Sequence, residues 1–516
     1  MSVAKVLISN AQMLAQTEQC RVWQAIRAVL PLTHRRRQRR ITIWLGFVLL
    51  AGNFSPAAAS EQGAHVRGAV PKASMHYRLK CRVCGSLFHD DGFMLACPVA
   101  HAPSLLITEY ACRTLQRDQQ AEGMYRYRCW LPVLQMLAGA GQPVTYQSKR
   151  LSSALQLPNL WITFSGFWPE RGATLETATF KELEAYAVLS RVPKHPSRVL
   201  VIASAGNTAA AFARTCSENT IPCVIVIPAS GMQKMQFRKP LNSCVKIICL
   251  IGSADYSDAI AFAEQLSGVD NFYAEGGVKN IGRRDGIGTV MLHAVEAIGQ
   301  LPDYYFQAIG SGAGAIAAWE AATRLIEDGG FGSKMPRLML SQNLPFTPIY
   351  DSWKRGGREL IAIDPDVGRM LTQQIVAPVL SNQRPPYTIR GGTFDALSET
   401  KGDMLAADNK EAMHAMRLFE ECEGIDIEPA AGVALASLMK AARSHQVRRE
   451  AVVLLHITGG GWCKRASENR LIPVSADLEF TSDELFTGGA LASVRNLFHM
   501  SKRRPASAVP EASEAA

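Results

Sequence analysis

The sequence predicts an α/β fold, parallel sheets sandwiched by helices, on three observations. Short β-branched runs alternate with helix-periodic segments through the middle of the chain. The composition, 47% hydrophobic and 19% charged over 516 residues, suits a globular chain with a sizeable core split over more than one domain. Glycine-rich turns lead directly from strands into helices, where such sheets bind ligands. The same figures exclude a collagen, a coiled coil or a mostly disordered chain. No apolar run approaches the roughly 20 residues that cross a bilayer, so no polytopic membrane protein is expected.

The elements follow in order. Residues 179–189 (TFKELEAYAVL) open a helical stretch, and residues 198–203 (RVLVIA) form a buried strand. Gly206-Asn207-Thr208 turns that strand into an alanine-rich helix ending near residue 217. Residues 223–227 and 246–250 are strands, and 257–266 has helical periodicity. Residues 284–298 form another helix, followed by a strand at 304–309. The helix at 316–327 stops at Gly329-Gly330. Residues 338–340 and 452–456 are further strands, and no internal repeat is present.

The ends differ from this body. Residues 1–74 hold ten Lys/Arg against two acids, so eight of the ten formal positive charges lie there. The rest is nearly neutral, and no nucleic-acid partner is expected. A basic run at 35–40, an apolar run at 41–50 and Ala57-Ala58-Ala59-Ser60 together have the shape of a secretory signal. The reading preferred is a true start at Met75, with 1–74 a non-core extension and the protein cytoplasmic. From 491 the chain is assigned to a disordered tail, clearest in the Ala/Ser/Pro/Glu-rich stretch 501–516. Twelve cysteines at mostly irregular spacing fit a reducing compartment and no disulfide scaffold.

Three turns and one lysine carry the chemistry. Ser204-Ala205-Gly206-Asn207-Thr208 offers small residues and backbone amides at a helix start, which suits an anion. The plain alternative is a helix N-cap by Asn207. Gly310-Ser311-Gly312-Ala313-Gly314 lacks the G-K-[ST] of a nucleotide P-loop and the spacing of G-x-G-x-x-G. It still forms a glycine nest suited to one phosphate group. Thr458, in His456-Ile457-Thr458-Gly459-Gly460-Gly461, places a hydroxyl beside glycines at the end of a late strand. Lys181 opens its helix shortly before the first turn, where a lysine is ordinarily a solvated surface charge.

In this order, with Glu428-Pro429-Ala430-Ala431-Gly432, these pieces resemble the fold type II pyridoxal-phosphate enzymes of the tryptophan synthase β superfamily. Residues 180–185 and 275–289 look most like the cysteate-forming relatives of threonine synthase in coenzyme M biosynthesis. The resemblance covers residues 75–475. It implies two parallel-sheet domains, within residues 106–490, with pyridoxal 5'-phosphate between them. It implies that Lys181 forms the Schiff base with the cofactor and abstracts the substrate Cα proton. Asn207 is then the partner of the ring hydroxyl, Gly310 to Gly314 hold the phosphate, and Thr458 meets the pyridine nitrogen. Ser204 to Thr208 cradle the substrate carboxylate. Lys279, Arg283 and Arg284, with Arg238 and Lys239 as others, are candidate cations for phosphate and sulfite. The implied reaction joins O-phospho-L-serine and sulfite into L-cysteate, in a homo-oligomer acting on small molecules. Threonine synthase on O-phosphohomoserine, or a sulfide-using cysteine synthase, stays open on the same motifs.

Residues 75–105 add Cys81 and Cys84 in C-x-x-C-G, then Cys97 and His101. This resembles a zinc ribbon, with thiolates and an imidazole for tetrahedral ligation. The second half, C-P-V-A-H, departs from C-x-x-C and leaves a structural zinc open; a metal-free ribbon with Cys97 simply buried is the alternative.

Overall fold

The computed structural model describes residues 76–193, 198–485 and 487–499. The signal-like segment and the stretch 501–516 lie outside them. Tyr77–Cys81 is the middle strand of a three-stranded antiparallel sheet, between Leu87–Phe88 and Leu106–Tyr110. Its alternation buries Tyr77, Leu79 and Cys81 and turns Arg78 outward, as one covered face requires.

Two larger sheets carry the α/β body. The first has five parallel strands in the order Phe272–Ala274, Val199–Ala203, Cys223–Pro228, Val245–Leu250 and Leu478–Phe480. Every residue of Cys223–Pro228 is buried, because helices cover both faces. The second runs Asp403–Ala407, Arg337–Asn343, Tyr304–Ala308, Val453–Ile457, Leu160–Phe164 and Val144–Gln147. Only its Val144–Gln147 edge is antiparallel. The chain starts the second sheet, leaves to build most of the first, and returns to finish the second. This interleaving makes the crossings between sheets the places where distant segments meet.

The strands and helices expected from sequence are present, with shifted ends. Helix Ile281–Ile298 begins three residues before the expected start, because Asn280 caps it by accepting from the Gly282 amide at 3.0 Å. Helix Ala313–Asp328 begins inside the glycine nest. The assignment of 491 onward to a tail is corrected by helix Gly488–His499. Ala490 and Val494 lie on its buried face, in one core with Phe262 and Leu266. The apolar residues recur at helical spacing there, and the tail-like composition begins only afterwards.

Candidate active site

Lys181 is fixed by the backbone on both sides of it. It is the first residue of helix Lys181–Ser190. Just before it, Thr179 bridges Gly459, and the Phe180 amide donates to the Thr458 carbonyl at 3.0 Å. Ala178 sits at φ 56°, a left-handed conformation costly for a residue with a Cβ. The turn after the late strand thus holds the lysine in place, and strain is tolerated to do so.

Lys181 Nζ donates to Glu184 Oε2 at 2.9 Å, one helical turn on. Burial pushes the lysine pKa down, and the Glu184 carboxylate opposes part of that shift. Glu184 is wholly buried, and its Oε1 accepts from Thr208 Oγ1 and from Arg283 NH1, both at 2.9 Å. Arg283 also grips Glu275, with Nε to Oε1 at 3.0 Å and NH2 to Oε2 at 2.5 Å. One buried network therefore joins the lysine, the first turn of helix Asn207–Glu218 and helix Ile281–Ile298.

The serine–asparagine turn spends its serine on itself. Ser204 Oγ accepts from the amides of Gly206 and Ala209 at 3.0 and 2.9 Å. Gly206 adopts φ 147° and ψ −73°, a backbone available to glycine and not to other residues. Asn207 is not the cap that its position suggested. It is already helical, and its Nδ2 donates across the sheets to Glu428 Oε2 at 2.8 Å. Thr458 Oγ1 donates to Glu428 Oε1 at 3.0 Å. Asn207, Thr458 and Glu428 thus meet at one point, all buried.

Around the second turn, Gly310, Ser311, Gly312, Ala313 and Gly314 lead from Tyr304–Ala308 into helix Ala313–Asp328. Gly312 has φ 82°, and a Cβ on it would fall 2.1 Å from Thr393 Oγ1. The first amides of this 16-residue helix point out of its N-terminus.

The expected cations separate sharply. Arg283 joins the Lys181 network. Its neighbour Arg284 turns away: Nε donates to Glu320 Oε2 at 2.9 Å, and the other nitrogens to the carbonyls of Val278 and Leu106. It ties the N-terminal sheet to the body and is corrected from substrate contact to a structural role. Lys279 is exposed on the turn Gly277–Lys279, and Arg238 and Lys239 are exposed as well. Arg238 is further engaged with Glu176 at 3.1 Å. Sequence reasoning gave no role to Glu184 or Glu428. The signals were an acid three residues after the lysine and an acid just before a helix that starts at Pro429.

Residues 142–459 match the family described as pyridoxal-phosphate dependent enzyme. The chain belongs to that family. It is 45% identical over 403 residues to the cysteate synthase of Methanosphaerula palustris, covering 78% of this chain and 93% of that protein. To the cysteate synthase of Methanoculleus marisnigri it is 44% identical, covering 81% and 96%. To that of Methanosarcina mazei it is 43% identical, covering 79% and 98%.

Pyridoxal phosphate is therefore the cofactor, and the residues around Lys181 fit it. The residue before the lysine is tied to Thr458 of the Asn207–Thr458–Glu428 cluster through the Phe180 amide, and Asn207 Oδ1 is buried with no hydrogen-bond partner. Thr393 Oγ1, against the glycine nest, is likewise buried and unpartnered. Both are polar atoms that a bound polar group would satisfy.

Cys81, Cys84, Cys97 and His101 come together, their ligand atoms all within 4.8 Å of one another. Cys84 Sγ lies 3.7 Å from Cys97 Sγ, and Cys81 Sγ 3.2 Å from His101 Nε2. A tetrahedral zinc with Zn–S bonds of about 2.3 Å separates its ligands by a similar span. His101 Nδ1 faces the Ala102 carbonyl at 2.7 Å, leaving Nε2 for a metal. Burial opposes ionisation of Cys81, but hydrogen bonds from Ser104 and nearby amides outweigh it and bring the thiol to about 6. The donor set is compatible with zinc. Elemental analysis of the purified protein is expected to give one zinc per chain, and Cys84→Ser to lower that occupancy. Because the cluster stands apart from the Lys181 network, chelation is expected to lower thermal stability before it lowers turnover. Full metal-free stability would remove the site.

Proposed function

We propose that this chain makes L-cysteate and phosphate from O-phospho-L-serine and sulfite. The observation that carries the reading is the match, over nearly their whole length, to proteins named cysteate synthase. Coenzyme M biosynthesis in the cytoplasm is the setting we infer, with the enzyme acting as a homo-oligomer.

Pyridoxal phosphate, when bound, supplies the electron sink that acidifies the Cα–H of an attached amino acid. In this reading Lys181 holds the cofactor and, once free, takes the Cα proton on Nζ. Glu184, 2.9 Å from that nitrogen, stabilises the resulting ammonium and keeps it aimed. Asn207 would meet the ring hydroxyl, Thr458 would meet the pyridine nitrogen, and residues 310–314 would hold the cofactor phosphate. The amides of residues 204–208 hold the substrate carboxylate, with Thr208 kept in place by Glu184. The Cβ–O bond of phosphoserine breaks and phosphate leaves with its electron pair. The sulfur lone pair of sulfite then forms the Cβ–S bond, and Lys181 returns the proton to Cα.

The test is substrate-dependent phosphate release with products read by mass spectrometry. Cysteate formed only with phosphoserine and sulfite together supports the reading. Threonine from O-phosphohomoserine without cysteate would replace it.

A further inference from the structure

Lys234 carries a charge that no carboxylate among the described residues pairs with. It ends the turn Ala229–Lys234, directly after strand Cys223–Pro228. Its stem crosses the serine–asparagine turn: a Cβ on Gly206 would lie 3.1 Å from Lys234 Cγ. Its Nζ sits 3.9 Å from the centroid of the Trp462 ring. Trp462 is the first residue past the Thr458–Gly461 turn, so this lysine spans the two turns that flank Lys181. Among the described residues, no oxygen lies within hydrogen-bond or ion-pair reach of Nζ.

The acids whose field reaches Lys234 are engaged elsewhere. Glu428 accepts from Asn207 and Thr458. Asp426 accepts from the amides of Trp462 and Cys463, at 2.8 and 3.2 Å. A second donor lies alongside: Trp462 Nε1 is buried with no partner. Burial pushes the lysine pKa down, so its charge is costly there until an anion arrives. The contrast with Arg283 is informative. Arg283 is saturated by two carboxylates, whereas Lys234 is only half-buried and unpaired. Of these two cations, Lys234 is the one that solvent reaches and that no carboxylate holds.

We propose that Lys234, with the indole N–H of Trp462, forms the oxyanion subsite that docks the entering sulfite. The inference rests on the function proposed above and adds the residues that recognise the nucleophile. Sulfite and the leaving phosphate share the chemistry of compact oxyanions, and the test separates them.

The holoenzyme and its Lys234→Met variant, which keeps the stem over Gly206, are compared in two ways. Sulfate, an unreactive probe, is titrated by calorimetry; the variant is expected to bind it about 10- to 100-fold more weakly, the worth of one charge-assisted hydrogen bond. The ratio of the sulfite KM to the phosphoserine KM is expected to rise by a similar factor. Trp462→Phe, which removes the N–H and leaves a smaller aromatic face under Nζ, moves both in the same direction by less, and Lys234→Arg restores most of the affinity. An unchanged sulfate affinity overturns the proposal. So does a rise confined to the phosphoserine KM, which would assign the cation to the phosphate ester. Failure of the wild type to make cysteate would sink the function, while the sulfate titration still reads the subsite without turnover.

Discussion

Lys181→Ala is expected to remove the visible absorbance of lysine-linked pyridoxal phosphate and to lower cysteate formation at least about 10³-fold, as loss of a positioned base does. The fold should survive. Glu184 keeps two of its three partners, Thr208 and Arg283, so no buried carboxylate is stranded by the change. The main chain that aims residue 181 is held by Thr179, Phe180 and Gly459, none of which the substitution touches. The measurement is an absorbance spectrum and a product assay on the same preparation, with circular dichroism to confirm folding. A folded variant that kept the wild-type spectrum and rate would show that another amine does this work.

The turns were legible in the sequence because each is local. A short β-branched run, two or three small residues and a helix start determine one another within about ten residues. The four zinc-type ligands were legible for the same reason, although the irregular C-P-V-A-H spacing left their meeting point open until the sheet Leu87–Phe88, Tyr77–Cys81, Leu106–Tyr110 brought them together. What the sequence withheld is partnership across long separations. Asn207 and Glu428 are 221 residues apart, and nothing near either one announces the other. Arg283 and Arg284 show the difficulty at its sharpest. Consecutive helical residues point about 100° apart, so one reaches Glu184 and Glu275 while the other reaches Glu320 and Leu106. Which of the two faces the lysine depends on how the helix is rotated against its neighbours, and that is set by tertiary packing. Lys234 was passed over because a lysine in a short polar turn reads as a solvated charge; the interleaved sheets bring Trp462 over it.

That interleaving also explains why the site tolerates so many buried charges. Lys181, Glu184, Arg283 and Glu275 alternate in sign along one connected path, so each desolvated charge has an opposite neighbour. The path joins helix Lys181–Ser190 to helix Ile281–Ile298 and, through Thr208, to the first turn of helix Asn207–Glu218. A group that alters charge at one end is felt at the lysine through contacts already made, without any large rearrangement.

The other large effect is structural and lies at the far end of the lysine's helix. Arg191, just past Ser190, has no exposed side-chain surface, and neither does its partner Asp90. The guanidinium grips the carboxylate through Nε at 2.5 Å and NH2 at 2.7 Å, and also reaches Asn280 Oδ1 at 2.9 Å and the Met94 carbonyl at 2.7 Å. Tyr77 OH donates to the same carboxylate at 2.7 Å. The segment just after strand Leu87–Phe88 is thus bolted to the far end of the lysine's helix by this ion pair. Asp90→Ala would leave a buried guanidinium without its counter-charge, and a loss of about 3–5 kcal/mol is expected. Urea unfolding of the two proteins measures it. If the energy lies in the stranded charge and not in the pair as such, replacing both partners by apolar residues, as in Asp90→Leu with Arg191→Met, should cost less than Asp90→Ala alone. A single variant within about 1 kcal/mol of wild type would mean that water reaches the guanidinium and that the pair contributes no more than an exposed one does.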